Sequence, residues 1–425
     1  MKYLLVIIFL TISLTGCRQE EAREYSNYRV KVSVEPEEQY LEVDCYWDIV
    51  TAKNNRSLYF YLHNQLQLEE LRVNNSKNGF TLSQDSSDIR YMPDATKYVV
   101  DIKGLNINNK TTGLHLKYSG RITEWNEWSA SVIGEEWTEM GLYFPWYPYN
   151  PGYTPFTYDV EVVHSGEYRT FMMGNETKDD YYAIYRTASP TNDMVLCMSK
   201  NLKIKRKEMH RNSFKLAYTS LSEELTDTLV SDIEALLDLF NSWFPPGNNQ
   251  VCIAESMRET GGGYARIGGI YLPGFTEADY YESRKSYSRY LAHEVSHLWW
   301  YRANTNTWED WLNEGFAEYS ALMVLRELYG QEYFEEWISR KELSSSGKDP
   351  VWHYDRNGKD AHAVLYDKAP LLLYELEGRI GPDSLKQLMW DMLVKKVSNT
   401  DEFLAILEAL EGEITAEWFL GKLKS

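Results

Sequence analysis

The chain has 425 residues, enough for two or three domains, and its 43% hydrophobic and 25% charged content is that of an ordinary globular protein. With 44 Lys and Arg against 63 Asp and Glu, the formal net charge is −19. That balance argues against nucleic acid as a partner, because phosphate backbones are bound by clustered Lys and Arg. The 33 Tyr and 14 Trp assign no function on their own, since such residues fill cores and sheet faces.

The first residues read as a targeting segment. Lys2 precedes an apolar run from Tyr3 to Leu14, shorter than the roughly 20 residues of a membrane-spanning helix and suited to a signal-peptide core. Leu14-Thr15-Gly16-Cys17 then looks like a bacterial lipobox. Residues 1–16 are expected to be a lipoprotein signal peptide, and the mature chain is expected to begin at Cys17. A lipid on that thiol would hold the exported protein on the periplasmic or cell-surface side of a membrane. An ordinary signal peptide followed by a chance Cys is the alternative. Residues 17–24 are too polar to pack a core and read as a tether. Cys45, Cys197 and Cys252 are widely spaced and contain no C-x-x-C pair, so they suggest neither a disulfide framework nor a metal site.

From 25 to 205 the signals are those of strands. Apolar residues fall on alternate positions in Leu41–Ile49, Leu58–Leu62 and Tyr158–Val162, the period of half-buried strands, with polar clusters such as Asn74–Gly79 between them. This predicts an antiparallel β domain. Over 206–425 the period changes. Leu225, Leu229, Ile233, Leu236, Leu237 and Phe240 share one helical face, with Ser220 and Glu223 as a capping-box pattern before them and Pro245-Pro246-Gly247 after. Further helices are predicted at about 281–300, 311–328, 361–379 and 383–395 and near the C-terminus, with a strand at 250–254. The fold class is therefore α+β: a β domain followed by a mainly helical, mixed α/β domain.

His293-Glu294-Val295-Ser296-His297 is an H-E-x-x-H motif. On a helix, positions i and i+4 lie on one face, so both imidazoles reach one ion. Glu294 beside them is placed to take a proton from water. Trp311-Leu312-Asn313-Glu314-Gly315-Phe316-Ala317-Glu318 follows, with 16 residues, 298–313, between His297 and Glu314. A catalytic zinc takes three protein ligands and keeps one open position, and Glu314 on a following helix can be the third ligand. Glu318, four residues on and on the same helical face, is placed to accept the other ring N–H of a ligand His. His353 and His362 have no ligand spacing and read as structural or exposed.

H-E-x-x-H followed by W-L-N-E-G-F-A resembles the aminopeptidase N and leukotriene hydrolase family of gluzincin metallopeptidases. The resemblance implies one zinc ion per chain held by His293, His297 and Glu314, and a thermolysin-like catalytic domain behind the β domain. Tyr366-Asp367-Lys368-Ala369 resembles the family's Y-E-K-G, which makes Tyr366 the donor to the developing oxyanion. Three departures stand out. The spacing between His297 and Glu314 is shorter than the family's usual one. Trp299 is kept, but the Gly-Asn that usually follows is not. Gly261-Gly262-Gly263-Tyr264-Ala265-Arg266 occupies the place of the family's G-x-M-E-N, with Ala265 in the slot of the Glu that binds a substrate's free α-amine. The backbone at Gly262, Gly263 and Tyr264 can still pair with an extended peptide. Glu136, or its neighbour Glu135, is the candidate for a second amine-binding group from the β domain. The family's large C-terminal helical domain is absent or reduced to the helices after about 383.

These readings predict a zinc peptidase acting on peptide or protein substrates, with exo- or endo-specificity open. One rival is a non-catalytic peptide-binding lipoprotein that keeps the fold, and a carbohydrate-binding surface protein rests on aromatic content alone.

Overall fold

The computed structural model describes residues 25–50, 56–105, 111–126, 133–208, 213–246, 250–258, 262–273 and 276–425. The signal-peptide, Cys17 and tether readings lie outside them, as do Gly247 and Gly261.

The N-terminal half is built on a seven-stranded sheet in the order 175–178, 182–186, 156–163, 26–35, 40–50, 111–121, 67–73. Strict alternation of buried and accessible residues along Ser26–Glu35 and Tyr40–Val50 places Val30, Val32, Val43, Cys45 and Trp47 on the covered face, the pattern expected of strands with one face on a core. Neighbours in this sheet are antiparallel except for Ser26–Glu35, which runs parallel to Phe156–Val163. Two three-stranded sheets complete the half: Ser57–His63 with Ala95–Asp101 and Thr81–Ser86, and Arg169–Phe171 with Leu196–Ser199 and Thr138–Met140.

The second half opens with a five-stranded sheet in the order 203–208, 213–218, 250–256, 269–273, 264–266. Tyr264–Arg266 is thus an edge strand, one side of its backbone unpaired within the sheet. The helices of this half are α1 (Glu223–Trp243), between the second and third strands in the sequence, and, after the strands, α2 (Glu277–Glu282), α3 (Arg284–Ser296), α4 (Trp311–Tyr329), α5 (Gln331–Ser345), α6 (Ala369–Ile380), α7 (Pro382–Lys395), α8 (Thr400–Glu411) and α9 (Glu413–Leu423). The predicted apolar face of α1 is buried, but its N-cap is Ser222, whose side chain accepts from the Leu225 N–H. Ser220 instead hydrogen-bonds the buried carboxylate of Glu255. α5 had no sequence prediction. Helix α4 is buried along almost its whole length, from Trp311 to Leu325, with only Glu314 of that span partly accessible. Gly315 permits this: a Cβ there would stand 2.9 Å from the Cβ of Ala369 on α6.

The halves share a core. Trp137, Phe171, Val195 and Cys197 from the first pack with Ala217, Ala254, Tyr264 and Tyr271 from the second. Arg266 reaches across to Asp193, Nε to Oδ2 at 2.7 Å, with both side chains buried. Asp193 also accepts from the Leu142 N–H and the Tyr147 hydroxyl. The cysteines Cys45, Cys197 and Cys252 are buried free thiols.

Candidate metal centre and active-site cleft

The H-E-x-x-H segment closes α3. His293 lies in the last turn, and His297 is the C-cap, still in helical conformation. The following turn is anchored by Trp299 Nε1 donating to the Pro245 carbonyl (2.8 Å) and Trp300 Nε1 donating to Ser320 Oγ (3.0 Å). Glu314 comes from the first turn of α4, packed against α3. Asn313 fixes the loop between the helices: its amide exchanges hydrogen bonds with both backbone groups of Ala303 and donates to Asp310 Oδ1.

Three atoms converge here. His293 Nε2 and His297 Nε2 are 3.3 Å apart, and Glu314 Oε2 is 3.4 Å from each. Ligands about 2.0–2.1 Å from a tetrahedral zinc stand roughly 3.3–3.4 Å from one another, so the triangle has the size such an ion requires. The protons also fit. His293 Nδ1 faces Glu318 Oε2 at 2.9 Å and His297 Nδ1 faces the Trp300 carbonyl at 2.8 Å. Each imidazole therefore carries its N–H on Nδ1 and turns the Nε2 lone pair inward. Glu314 Oε2 is buried without a hydrogen-bond partner. Three acceptor atoms converging this closely call for a cation among them, a metal ion or a proton. Burial opposes charge on His293, but Glu314 and Glu318 outweigh it and push its pKa up to about 10. Burial likewise opposes the charge of Glu314, yet the two imidazoles hold its pKa well below the ordinary carboxylate range. Among the described residues this is the one group of three His, Cys, Asp or Glu side chains so disposed.

Glu318 was read as the acceptor for a ligand His, and it occupies that position. It is 1% exposed and carries more than the sequence suggested: Arg289 Nη1 donates to both its oxygens (2.6 and 2.8 Å), and Lys341 Nζ lies 2.6 Å from Oε1. Glu294 is buried in the cleft wall, and burial raises its pKa, which suits a proton acceptor working near neutral pH. Tyr366 sits in a π-helical turn, Ala363–Lys368, just before α6. Its ring stacks on His293 at 5.6 Å and on His362 at 4.6 Å. Burial, then Glu314 and Asp310, raises the Tyr366 pKa far above the ordinary phenol value, so it stays a donor. His353 stands on Trp308 and Trp352.

These groups open on a cleft of about 1500 Å³ between the halves, walled by Tyr59, Tyr91 and Tyr143 on one side and the metal centre on the other. Gly262, Gly263 and Tyr264 line it. Gly263 lets this strand approach α3, because a Cβ there would meet the Tyr290 hydroxyl at 1.9 Å and the Tyr271 carbonyl at 2.7 Å. Ala265 and Arg266 also line the cleft, but Glu136 does not: it is exposed outside it, and Glu135 pairs with Lys200. The expected role for Glu136 therefore has no support from its position. Glu139, three residues on, is the fully buried one. It accepts from Tyr264 Oη (2.7 Å), Ser256 Oγ (2.9 Å) and Trp137 Nε1 (3.0 Å). Burial outweighs these donors and lifts its pKa to about 7. Alternation along Thr138–Met140 gives no hint of this, because all of that short strand is buried.

No family model matches the chain. It is similar to a probable aminopeptidase 1 of Sulfurisphaera tokodaii, 28% identical over 162 residues, which are 33% of this chain and 21% of that protein. It is also similar to a leucine aminopeptidase 2 of Ajellomyces capsulatus, 34% identical over 114 residues, 23% and 18% of the two chains. The matched segments thus span about a fifth of these relatives. Among solved structures it is similar to an M1 zinc metallopeptidase of Deinococcus radiodurans (TM-score 0.74, 16% identity, 95% of both chains). It also matches leukotriene A4 hydrolase of Saccharomyces cerevisiae (TM-score 0.71, 15% identity, 93% of this chain and 66% of that one). The expected resemblance holds: the chain has the two-domain fold of the aminopeptidase N-like zinc metallopeptidases, and the relatives found by sequence bear aminopeptidase names.

Proposed function

We propose that the chain is a zinc peptidase that hydrolyses peptide bonds in the cleft between its two halves. The observation that carries this reading is the triangle of His293 Nε2, His297 Nε2 and Glu314 Oε2, with edges of 3.3 and 3.4 Å, beside a buried Glu294 and a protonated Tyr366. Zinc bound there supplies a Lewis acid for the scissile carbonyl and lowers the pKa of a water. Glu294 takes a proton from the attacking water on its carboxylate and gives it to the amide nitrogen as the C–N bond breaks. The Tyr366 hydroxyl donates to the carbonyl oxygen as negative charge gathers on it. An extended substrate is held along the edge strand at Gly262–Arg266, whose outer side has no partner strand in the sheet and suits β-addition.

With Ala265 in place of an amine-binding carboxylate and Glu136 outside the cleft, no carboxylate among the described residues 262–266 waits for a free N-terminus. The reading therefore favours peptides bound along the strand over single aminoacyl substrates. The apolar run before Leu14-Thr15-Gly16-Cys17 supports an exported form anchored by lipid on Cys17, which mass analysis of the membrane-extracted protein would detect. The peptidase reading is tested by incubating the protein with a peptide mixture and sequencing the products by mass spectrometry, with and without a chelator. Chelator-sensitive cleavage is expected. Peptide binding without any cleavage would favour the non-catalytic rival.

A further inference from the structure

We infer that Lys341 is a positioning residue that fixes the metal centre and the oxyanion donor to one another, an inference that rests on the peptidase reading above. Lys341 lies on α5 and is 4% exposed. Its ammonium has three protons and finds three acceptors: Glu318 Oε1 at 2.6 Å, the Tyr366 carbonyl at 2.8 Å and Asp367 Oδ1 at 3.2 Å. These acceptors belong to the two halves of the chemistry. Glu318 holds the Nδ1–H of His293, and so orients the imidazole whose other nitrogen faces the metal position. Tyr366 and Asp367 form the π-helical turn that presents the Tyr366 hydroxyl. Ser344 on the same helix donates to the other oxygen of Asp367, at 2.6 Å.

A Leu or Met at this position would join α4, α5 and the turn without taking an ammonium out of water. What an ammonium adds is a fixed geometry among three oxygens, the Tyr366 carbonyl and Asp367 by hydrogen bonds and Glu318 by an ion pair. Glu318 is paired with both Lys341 and Arg289, and Lys341 is also paired with Asp367. Nothing in the sequence pointed to this residue, since a lysine in a polar stretch reads as solvent-facing.

The test compares Lys341→Met with the wild type in two measurements. Zinc affinity is read by competition with a chromophoric chelator, and kcat and KM are read on one peptide. Removing an outer partner of a metal ligand typically costs about 10–100-fold in metal affinity or activity. We expect zinc to bind about tenfold more weakly, and kcat at saturating zinc to fall about 10–100-fold with KM within about twofold. Repeating the substitution in a Tyr366→Phe background separates the two arms. There the loss of kcat should shrink, because the hydroxyl being positioned is gone, while the loss of zinc affinity should persist. A purely structural role would lower melting temperature and leave zinc affinity unchanged, as is expected for Glu377→Gln, which breaks the partly buried pair with Arg326 on the far side of α4. Wild-type zinc affinity together with an effect on kcat that is additive with Tyr366→Phe would overturn the inference. If Lys341→Met does not fold, Asp367→Asn carries the Tyr366 arm: kcat falls, and falls less in the Phe background, or the inference is wrong. A wild-type protein that binds zinc but cleaves no peptide would refute the peptidase reading instead, while the zinc-affinity arm would still report on Lys341.

Discussion

Exchanging Glu294 for Gln leaves His293, His297 and Glu314 in place and removes only a proton acceptor. Zinc should remain bound, and turnover should fall by about 10²–10⁴, the usual worth of a positioned base; metal content and rate measured on one preparation decide the point. Tyr366→Phe deletes one hydroxyl that, in the proposed mechanism, donates mainly in the transition state. The expected loss is about 10²–10³ in kcat, with little change in KM, whereas a merely packed tyrosine would show up in melting temperature and not in rate. Glu139 makes a prediction about stability. Its folded pKa of about 7 lies above its ordinary 4.5. Between those values the unfolded chain has already ionised while the folded one keeps its proton. The stabilisation from this group is thus complete below pH 4.5 and lost as pH rises through 7, about 3 kcal/mol in all. Glu139→Gln should flatten that part of the stability–pH curve, as measured by denaturant titration. An unchanged slope would mean that the carboxyl is not desolvated as the fold implies.

At the scale of elements, what the sequence shows is what helix and strand periods encode. The spacing of His293 and His297, and of Glu314 and Glu318, places each pair on one helical face before any coordinates are known. Lys341, Arg289 and Glu139 were invisible because their partners come from distant segments and no local period marks them. Helix α5 went unread for a related reason: its buried stripe is Phe334, Ile338, Lys341 and Ser345, half of it polar. The edge strand carries the prediction on specificity. A charge-assisted hydrogen bond to a substrate amine is worth about 1.5–3 kcal/mol. With Ala265 on the strand and Glu136 turned away, acetylating the N-terminus of a peptide should cost little in kcat/KM. A drop beyond about a hundredfold on acetylation would exceed a single such contact and would show that an amine site exists elsewhere in the cleft.

For the whole molecule, the cleft depends on both halves being fixed together. The shared core around Trp137, Phe171 and Tyr271 and the buried Arg266–Asp193 pair tie the β half to the strand that lines the cleft. The β half is therefore a wall of the site, supplying Tyr59, Tyr91 and Tyr143, and not an appendage to it. Every part of the functional reading nevertheless passes through the triangle formed by His293, His297 and Glu314. The most direct measurement is zinc content by atomic spectroscopy on the purified chain, with peptide cleavage assayed on the same sample before chelation, after it and after zinc is restored. The account predicts one zinc per chain, none in His293→Ala or Glu314→Ala, and cleavage that disappears with the metal and returns with it. A folded protein that takes up no zinc, or one whose cleavage is indifferent to its removal, would contradict it.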